Sequence, residues 1–287
     1  MNKQDIIEAI RDSGHSKVKV AIVDIDGVLR GKYMHRDKFL SAAESSFGFC
    51  DVVFGWDVAD VLYDQSKVTG WHTGFSDAEA HLDLSTFRKI PWEADVPFVL
   101  GDFSSEPGEG FPACPRSLLK RTIAKAHKMN FKPVFAQEFE WFNYRMNDST
   151  SDRPLHESVA PLTKGMFGYS ILRASENSAY FHDLFDLMES FGVPIEGLHT
   201  ETGPGVYEAA IQYTDILEAA DRAVLFKSSV KEIAKQHGII ASFMAKPYED
   251  YAGNGLHTHF SVLDAKGDNI FADGSEHGTK MLGQAVA

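Results

Sequence analysis

At 287 residues, the chain is long enough to bury one large core or two smaller ones. Its formal charge of −13 argues against wrapping nucleic acid or lying on an anionic membrane, and no apolar run is long enough to span a bilayer. Two cysteines, Cys50 and Cys114, cannot build a disulfide framework, which fits a reducing, cytoplasmic setting.

Residues 2–12 place Ile6, Ile7 and Ile10 at helical spacing among charges, which predicts a short amphipathic helix rather than a signal peptide. An apolar strand over 18–24 leads through a turn at Gly27 into a second extended piece. Residues 47–63, rich in Val, Phe and Trp, read as strand, and 69–94 read as loop and edge strand. Three prolines and two glycines mark 104–115 as a linker. A helix follows over 115–130, with Arg116, Lys120, Arg121 and Lys125 on its polar side. Beyond it, strands are predicted over 133–144, 239–247 and 256–263, and helices over 175–191, stopping at Gly192, and 216–238. Residues 198–213 read as a loop feeding a strand. A last helix begins near 278 and ends without a cap, so the chain reads as a piece of something longer. Strands alternating with helices suggest an α/β layer or barrel, with room for antiparallel pairing.

The chemistry gathers in the second half. Glu138 and Glu140 project from one face of the 133–144 strand, as do His257 and His259 from theirs, because strand side chains alternate. Val134, Ala136 and Phe142 share the face of the two acids and would look into a cavity, while Phe135, Gln137, Phe139 and Trp141 are what a helix would cover. The glycines of Tyr251-Ala-Gly-Asn-Gly255, before His257, suit positive φ or the close approach of a ligand. Glu201 and Glu208 flank a rigid Gly-Pro-Gly turn. Singly, each reads as well as a surface feature; together, neighbouring carboxylates repel unless a cation lies between them. Four carboxylates and an imidazole suit two Mg²⁺ or Mn²⁺ ions better than zinc, and paired ions of this kind most often serve phosphoryl chemistry. No Walker-type loop is present.

The set Glu138-Phe-Glu140, Glu201 with Glu208, Met244-Ala-Lys-Pro247 and Gly253-Asn-Gly-Leu-His257-Thr-His259-Phe-Ser261 resembles glutamine synthetase, in the same order along the chain. Val23-Asp-Ile-Asp-Gly27 with Arg30-Gly-Lys32 resembles that family's N-terminal β-grasp segment, and Cys114 to Lys120 its first catalytic helix. The resemblance implies an α+β fold: a β-grasp domain over 1–105, then the first part of a catalytic α/β barrel over 106–287. It implies an ATP-dependent ligase that joins glutamate to ammonia or a small amine or polyamine through γ-glutamyl phosphate. Glu140, Glu201 and Glu208 would hold one metal, and Glu138 and His257 the other. Gly253 would bind glutamate, and His259, Ser261 and Tyr213 would bind ATP. Asp57 would serve catalysis at a neighbour's site in a ring-shaped homo-oligomer. Ala252 stands where ammonia-using members carry Asn, and only Asp57 is a counterpart of their ammonium-binding acid, which puts a bulkier amine at least level with ammonia. The family's later half carries further phosphate-binding groups, so this piece is expected to lack turnover alone. Two other readings compete: a silent scaffold or sensor of the same family, and a phosphatase of the haloacid-dehalogenase type. The latter rests on Asp24-Ile-Asp26, where Asp24 would be the nucleophile.

Overall fold

The computed structural model describes residues 1–103, 110–146 and 160–286, and the chain divides into two compact units, Met1–Ala124 and Lys125–Ala287. The first six residues of the expected linker lie outside the described residues.

The first unit is a five-stranded sheet in the order β2-β1-β5-β4-β3, from β1 (Lys17–Val23), β2 (Leu29–His35), β3 (Phe47–Cys50), β4 (Asp77–Ile90) and β5 (Val96–Phe103). β1 and β5 run parallel and the other pairs antiparallel. Alternation sends Val18, Val20 and Ile22 of β1 into the core, with Ile6 and Ile10 of helix α1 (Lys3–Asp12) and Phe39 of helix α2 (Arg36–Ala42). Asn2 caps α1 through a reciprocal bond with Asp5. Two sequence expectations change here, and one strand, β5, was not among them. Residues 69–94 contain an interior strand of 14 residues rather than an edge strand. β5, buried along its whole length, has the continuous apolar run of a central strand. Residues 47–63 give only a four-residue strand and one 3₁₀ turn over Asp51–Phe54 before irregular chain.

Helix α3 (Pro115–Lys128) begins in this unit, and its cationic side is not all solvent-facing. Arg116 is buried and pairs with Asp102 at 2.6 Å and Asp83 at 2.8 Å; Lys120 reaches the same two carboxylates at 2.5 and 3.1 Å. Ser117 donates to the Phe103 carbonyl at 2.8 Å. Polar contacts therefore tie this turn of α3 to the end of β5.

The second unit is a sheet built on β6 (Lys132–Arg145), which pairs antiparallel with four other strands. These are β8 (Val206–Ile211), β9 (Thr214–Asp215), β10 (Ile239–Ser242) and β11 (Leu256–Leu263); β7 (Ile195–Thr200) pairs with β8. One face is apolar, as the alternation requires: Phe139 stacks on Phe226, and Trp141 packs edge-on against Tyr207 and Phe226. Phe226 belongs to α6 (Ile216–Gln236), while Tyr180, Phe181 and Leu184 of α5 (Ser178–Ser190) are buried with them. The predicted helix over 175–191 is broken at Asn177 into α4 (Ile171–Glu176) and α5. The predicted loop from 198 is in fact a hairpin, β7 and β8, closed by the Gly-Pro-Gly turn. A final short helix, α7, covers Lys280–Val286. No helix among the described residues is long and apolar enough to cross a membrane.

Candidate active site

The polar face of the second sheet collects the acids by register. Glu140 of β6 lies opposite Glu208 of β8, Glu138 of β6 opposite His257 of β11, and Glu208 opposite His199 of β7. Four strands thus contribute to one patch from residues over a hundred positions apart. Ligand atoms of Glu138, Glu208 and His257 lie within 4.8 Å of one another, as do those of His199, Glu201 and Glu208. Glu208 belongs to both groups. His257 Nδ1 is 2.9 Å from Glu138, and His259 Nε2 is 3.3 Å from its other oxygen. His199 lies 3.8 Å from both Glu201 and Glu208.

The electrostatics reflect the crowding. Burial pushes the Glu208 carboxyl up to about 8, followed by its hydrogen bond with Glu138 and the charges of Glu138, Glu140 and Glu201. Glu138 moves the other way: its hydrogen bond with Glu208 outweighs burial, and bonds from His257 and His259 add to it. One proton held on Glu208 lets the two carboxylates stand side by side. A divalent cation would do the same with more charge, and a set of carboxylates with one imidazole in each group, His257 and His199, fits Mg²⁺ or Mn²⁺ donor chemistry.

Glu140 falls outside both groups. Its carboxyl turns toward Gly255, where an added Cβ would come within 2.6 Å of Oε1, so glycine is what leaves room for it. Gly253 is explained by close approach as well: a Cβ there would sit 2.5 Å from the Ala245 carbonyl. Neither glycine has the positive φ that the sequence suggested. His259, Ser261 and Tyr213 line one open cavity of about 740 Å³, with the stacked pair Phe135 and Phe260 in its wall and Glu138 at its margin. Asp57 lies in the first unit, where Oδ1 accepts from the amides of Ala59 and Val61 and Arg30 donates to its carbonyl.

His199 escaped the sequence reading, although His199-Thr-Glu201 carries the same two-residue spacing as Glu138-Phe-Glu140. The phosphatase reading is overturned. Asp24 is 1% exposed; Oδ1 accepts from the amides of Asp26 and Val28, and Oδ2 is ion-paired to Arg30 at 2.8 Å. A carboxylate so enclosed anchors a turn and cannot attack a phosphate ester.

The profile of the glutamine synthetase catalytic domain matches residues 112–287. Type-1 glutamine synthetase 2 of Dictyostelium discoideum is 52% identical over 96% of this chain and 53% of that protein. Glutamate–isopropylamine ligase of a Pseudomonas species is 37% identical over 95% of the chain and 60% of that enzyme. The solved structure of GmaS with ADP superposes with a TM-score of 0.79 at 27% identity, over 96% of this chain and 60% of GmaS. Plasmodium falciparum glutamine synthetase, at 19% identity and a TM-score of 0.77, shares the fold. The chain thus spans little more than half the length of these relatives.

Proposed function

This chain belongs to the glutamine synthetase family, and from that premise we propose that the whole protein is an ATP-dependent glutamate–amine ligase. The observation that carries the reading is the convergence of Glu138, Glu208 and His257, from three strands, with Glu201 and His199 alongside. In this reading the first unit is the family's β-grasp domain, and the second is the first part of its catalytic barrel. A glutamate–isopropylamine ligase, a γ-glutamylethanolamide synthetase and glutamine synthetases are all similar to this chain, which supports an acceptor drawn from ammonia and small amines.

The reaction has two halves. Transfer of the γ-phosphoryl of ATP to the side-chain carboxylate of glutamate gives ADP and γ-glutamyl phosphate. The amine then loses a proton and forms the C–N bond, while the C–O bond to phosphate breaks and phosphate leaves with the electron pair. Two Mg²⁺ or Mn²⁺ ions, when bound, would neutralise the phosphate oxygens. Glu140, Glu201 and Glu208 would hold one and Glu138 and His257 the other, with Glu208 between them and His199 within reach of the first. The cavity lined by Tyr213, His259 and Ser261 would take the nucleotide, its aromatic wall suiting a purine, and its margin at Glu138 would bring the phosphates to the acids. Gly253 would offer backbone to glutamate. Asp57 would work at a neighbouring subunit's site in a cytoplasmic ring-shaped oligomer.

A silent scaffold has no use for carboxylates crowded enough to hold a proton near neutrality, which cost stability and serve only a bound cation. Calorimetric titration of Mn²⁺ into this chain is expected to show saturable binding that Glu138→Gln and Glu208→Gln abolish. Amine-dependent phosphate release by the intact protein, with glutamate and ATP, tests the reaction. An absence of both would return the reading to the scaffold.

A further inference from the structure

On the apolar face of β6, after Phe139 and Trp141, the next side chain is an amide. Asn143 is 0% exposed, in a place where an apolar side chain would have no polar group to satisfy. Its bonds show what the amide does. The indole Nε1 of Trp141 can only donate, so the atom it meets at 3.0 Å is the Asn143 oxygen, Oδ1. The Tyr180 hydroxyl donates to the same oxygen at 3.2 Å. These two bonds fix the amide plane and leave Nδ2 aimed at the Gly205 carbonyl, 3.1 Å away. That carbonyl also accepts the Asn143 backbone amide at 2.8 Å. One residue therefore donates twice to one oxygen.

Gly205 is the last residue of the turn before β8, and it lies close against Asn143. Its φ is +74°, and an added Cβ would come within 2.4 Å of the Asn143 carbonyl oxygen. The β6–β8 ladder ends with Phe142 opposite Val206, so strand pairing gives the turn no further support. The two acids flanking this turn are held differently. Glu208 is inside β8, opposite Glu140, where the ladder fixes it. Glu201 lies just past the end of β7, and the turn sets its backbone. Its amide donates to the Val206 carbonyl at 2.8 Å, and its Oε1 accepts from the Thr202 amide at 2.7 Å. Of the two, Glu201 is the one whose place depends on the hold on Gly205.

Building on the ligase reading, we propose that Asn143 is a positioning residue for the cation site. From the face of the sheet opposite the acids, it clamps the turn so that Glu201 reaches the ion shared with Glu140 and Glu208. A satisfied polar network in a core specifies one geometry, and here that geometry is passed to a turn that carries a ligand.

The test is calorimetric titration of Mn²⁺ into this chain, beside thermal unfolding without metal. Asn143→Asp keeps the acceptor for Trp141 and Tyr180 but turns the donor to Gly205 into a repelling oxygen. Asn143→Ser shortens the side chain out of reach of Gly205 and serves if the aspartate variant misfolds. Either should weaken Mn²⁺ binding about tenfold, the low end for groups that orient a metal ligand. Tyr180→Phe is the control, since it takes a buried bond from the same amide and leaves both donations to Gly205 in place. It should lower the unfolding temperature while Mn²⁺ affinity stays at the wild-type value. The proposal is overturned if the Asn143 variants bind Mn²⁺ like wild type. It is overturned equally if affinity merely follows stability across all three variants, or if both Asn143 variants fail to fold, since Asn143 is then only a core residue. A wild type that binds no Mn²⁺ is a distinct result: it removes the metal reading of the site, and the clamp falls with it.

Discussion

Replacing Glu208 with glutamine should stabilise this chain and disable it at once. In the metal-free chain Glu208 is 8% exposed and must share space with Glu138, Glu140 and Glu201, so its carboxyl is held up to about 8. The sign follows from linkage: the folded state binds a proton that the unfolded state has already released above the ordinary glutamate range. Stability therefore falls as pH rises from about 4.5 toward 8, by ~1.36 kcal/mol for each pH step of one in the limit of full burial. Solvent at the open face screens these charges, and the gain of Glu138 offsets part of the cost, which leaves about 1–2 kcal/mol. Glutamine has the shape of the protonated acid and keeps a donor for Glu138 at every pH. Thermal unfolding without metal should thus show Glu208→Gln about 2–8 °C above wild type at pH 8.5, using ~2–4 °C per kcal/mol for a chain of this size, and level with it at pH 5. With Mn²⁺ the order should reverse, since binding stabilises only the chain that binds. A variant no more stable than wild type at pH 8.5, or one that keeps its Mn²⁺ stabilisation, would refute the argument that these carboxylates are crowded for the sake of a cation.

Three further outcomes are expected. Arg116→Met removes the guanidinium from Asp83 and Asp102, and breaking a buried network of this kind costs ~3–5 kcal/mol, read as a loss in chemical denaturation. Burial alone would raise the Asp83 carboxyl, but Arg116, then Ser85 and Lys120, hold it far below its usual range, so that stability is present at neutral pH and lost on acidification. The variant should therefore show a flatter stability profile below about pH 4. Gly255→Ala pushes against Glu140 Oε1 and should weaken Mn²⁺ binding by about 10–100-fold, as displaced ligand-supporting groups do, while circular dichroism stays unchanged. Asp24→Asn should cost ~1.5–3 kcal/mol through its bonds to Arg30 and the turn amides, with no hydrolysis of a generic phosphate ester by either protein; hydrolysis lost in the variant would restore the phosphatase reading.

Whatever depends on local pattern was legible in the chain alone. Ile6, Ile7 and Ile10 announced α1, and the alternation of Glu138, Phe139, Glu140 and Trp141 announced both faces of β6, because period and side-chain direction are properties of the backbone itself. Charge alone misled at Arg116, which reads as solvated until Asp83 and Asp102 are brought to it by a sheet whose pairing no local signal encodes. The same holds for β4, interior only because β3 and β5 flank it.

His199 is the instructive omission. Its spacing from Glu201 matched that of the two acids already chosen, yet a lone imidazole beside a glycine-rich turn carries no weight until β7 pairs with β8 and sets it opposite Glu208. The acids were legible because their repulsion demands a common explanation wherever they fold.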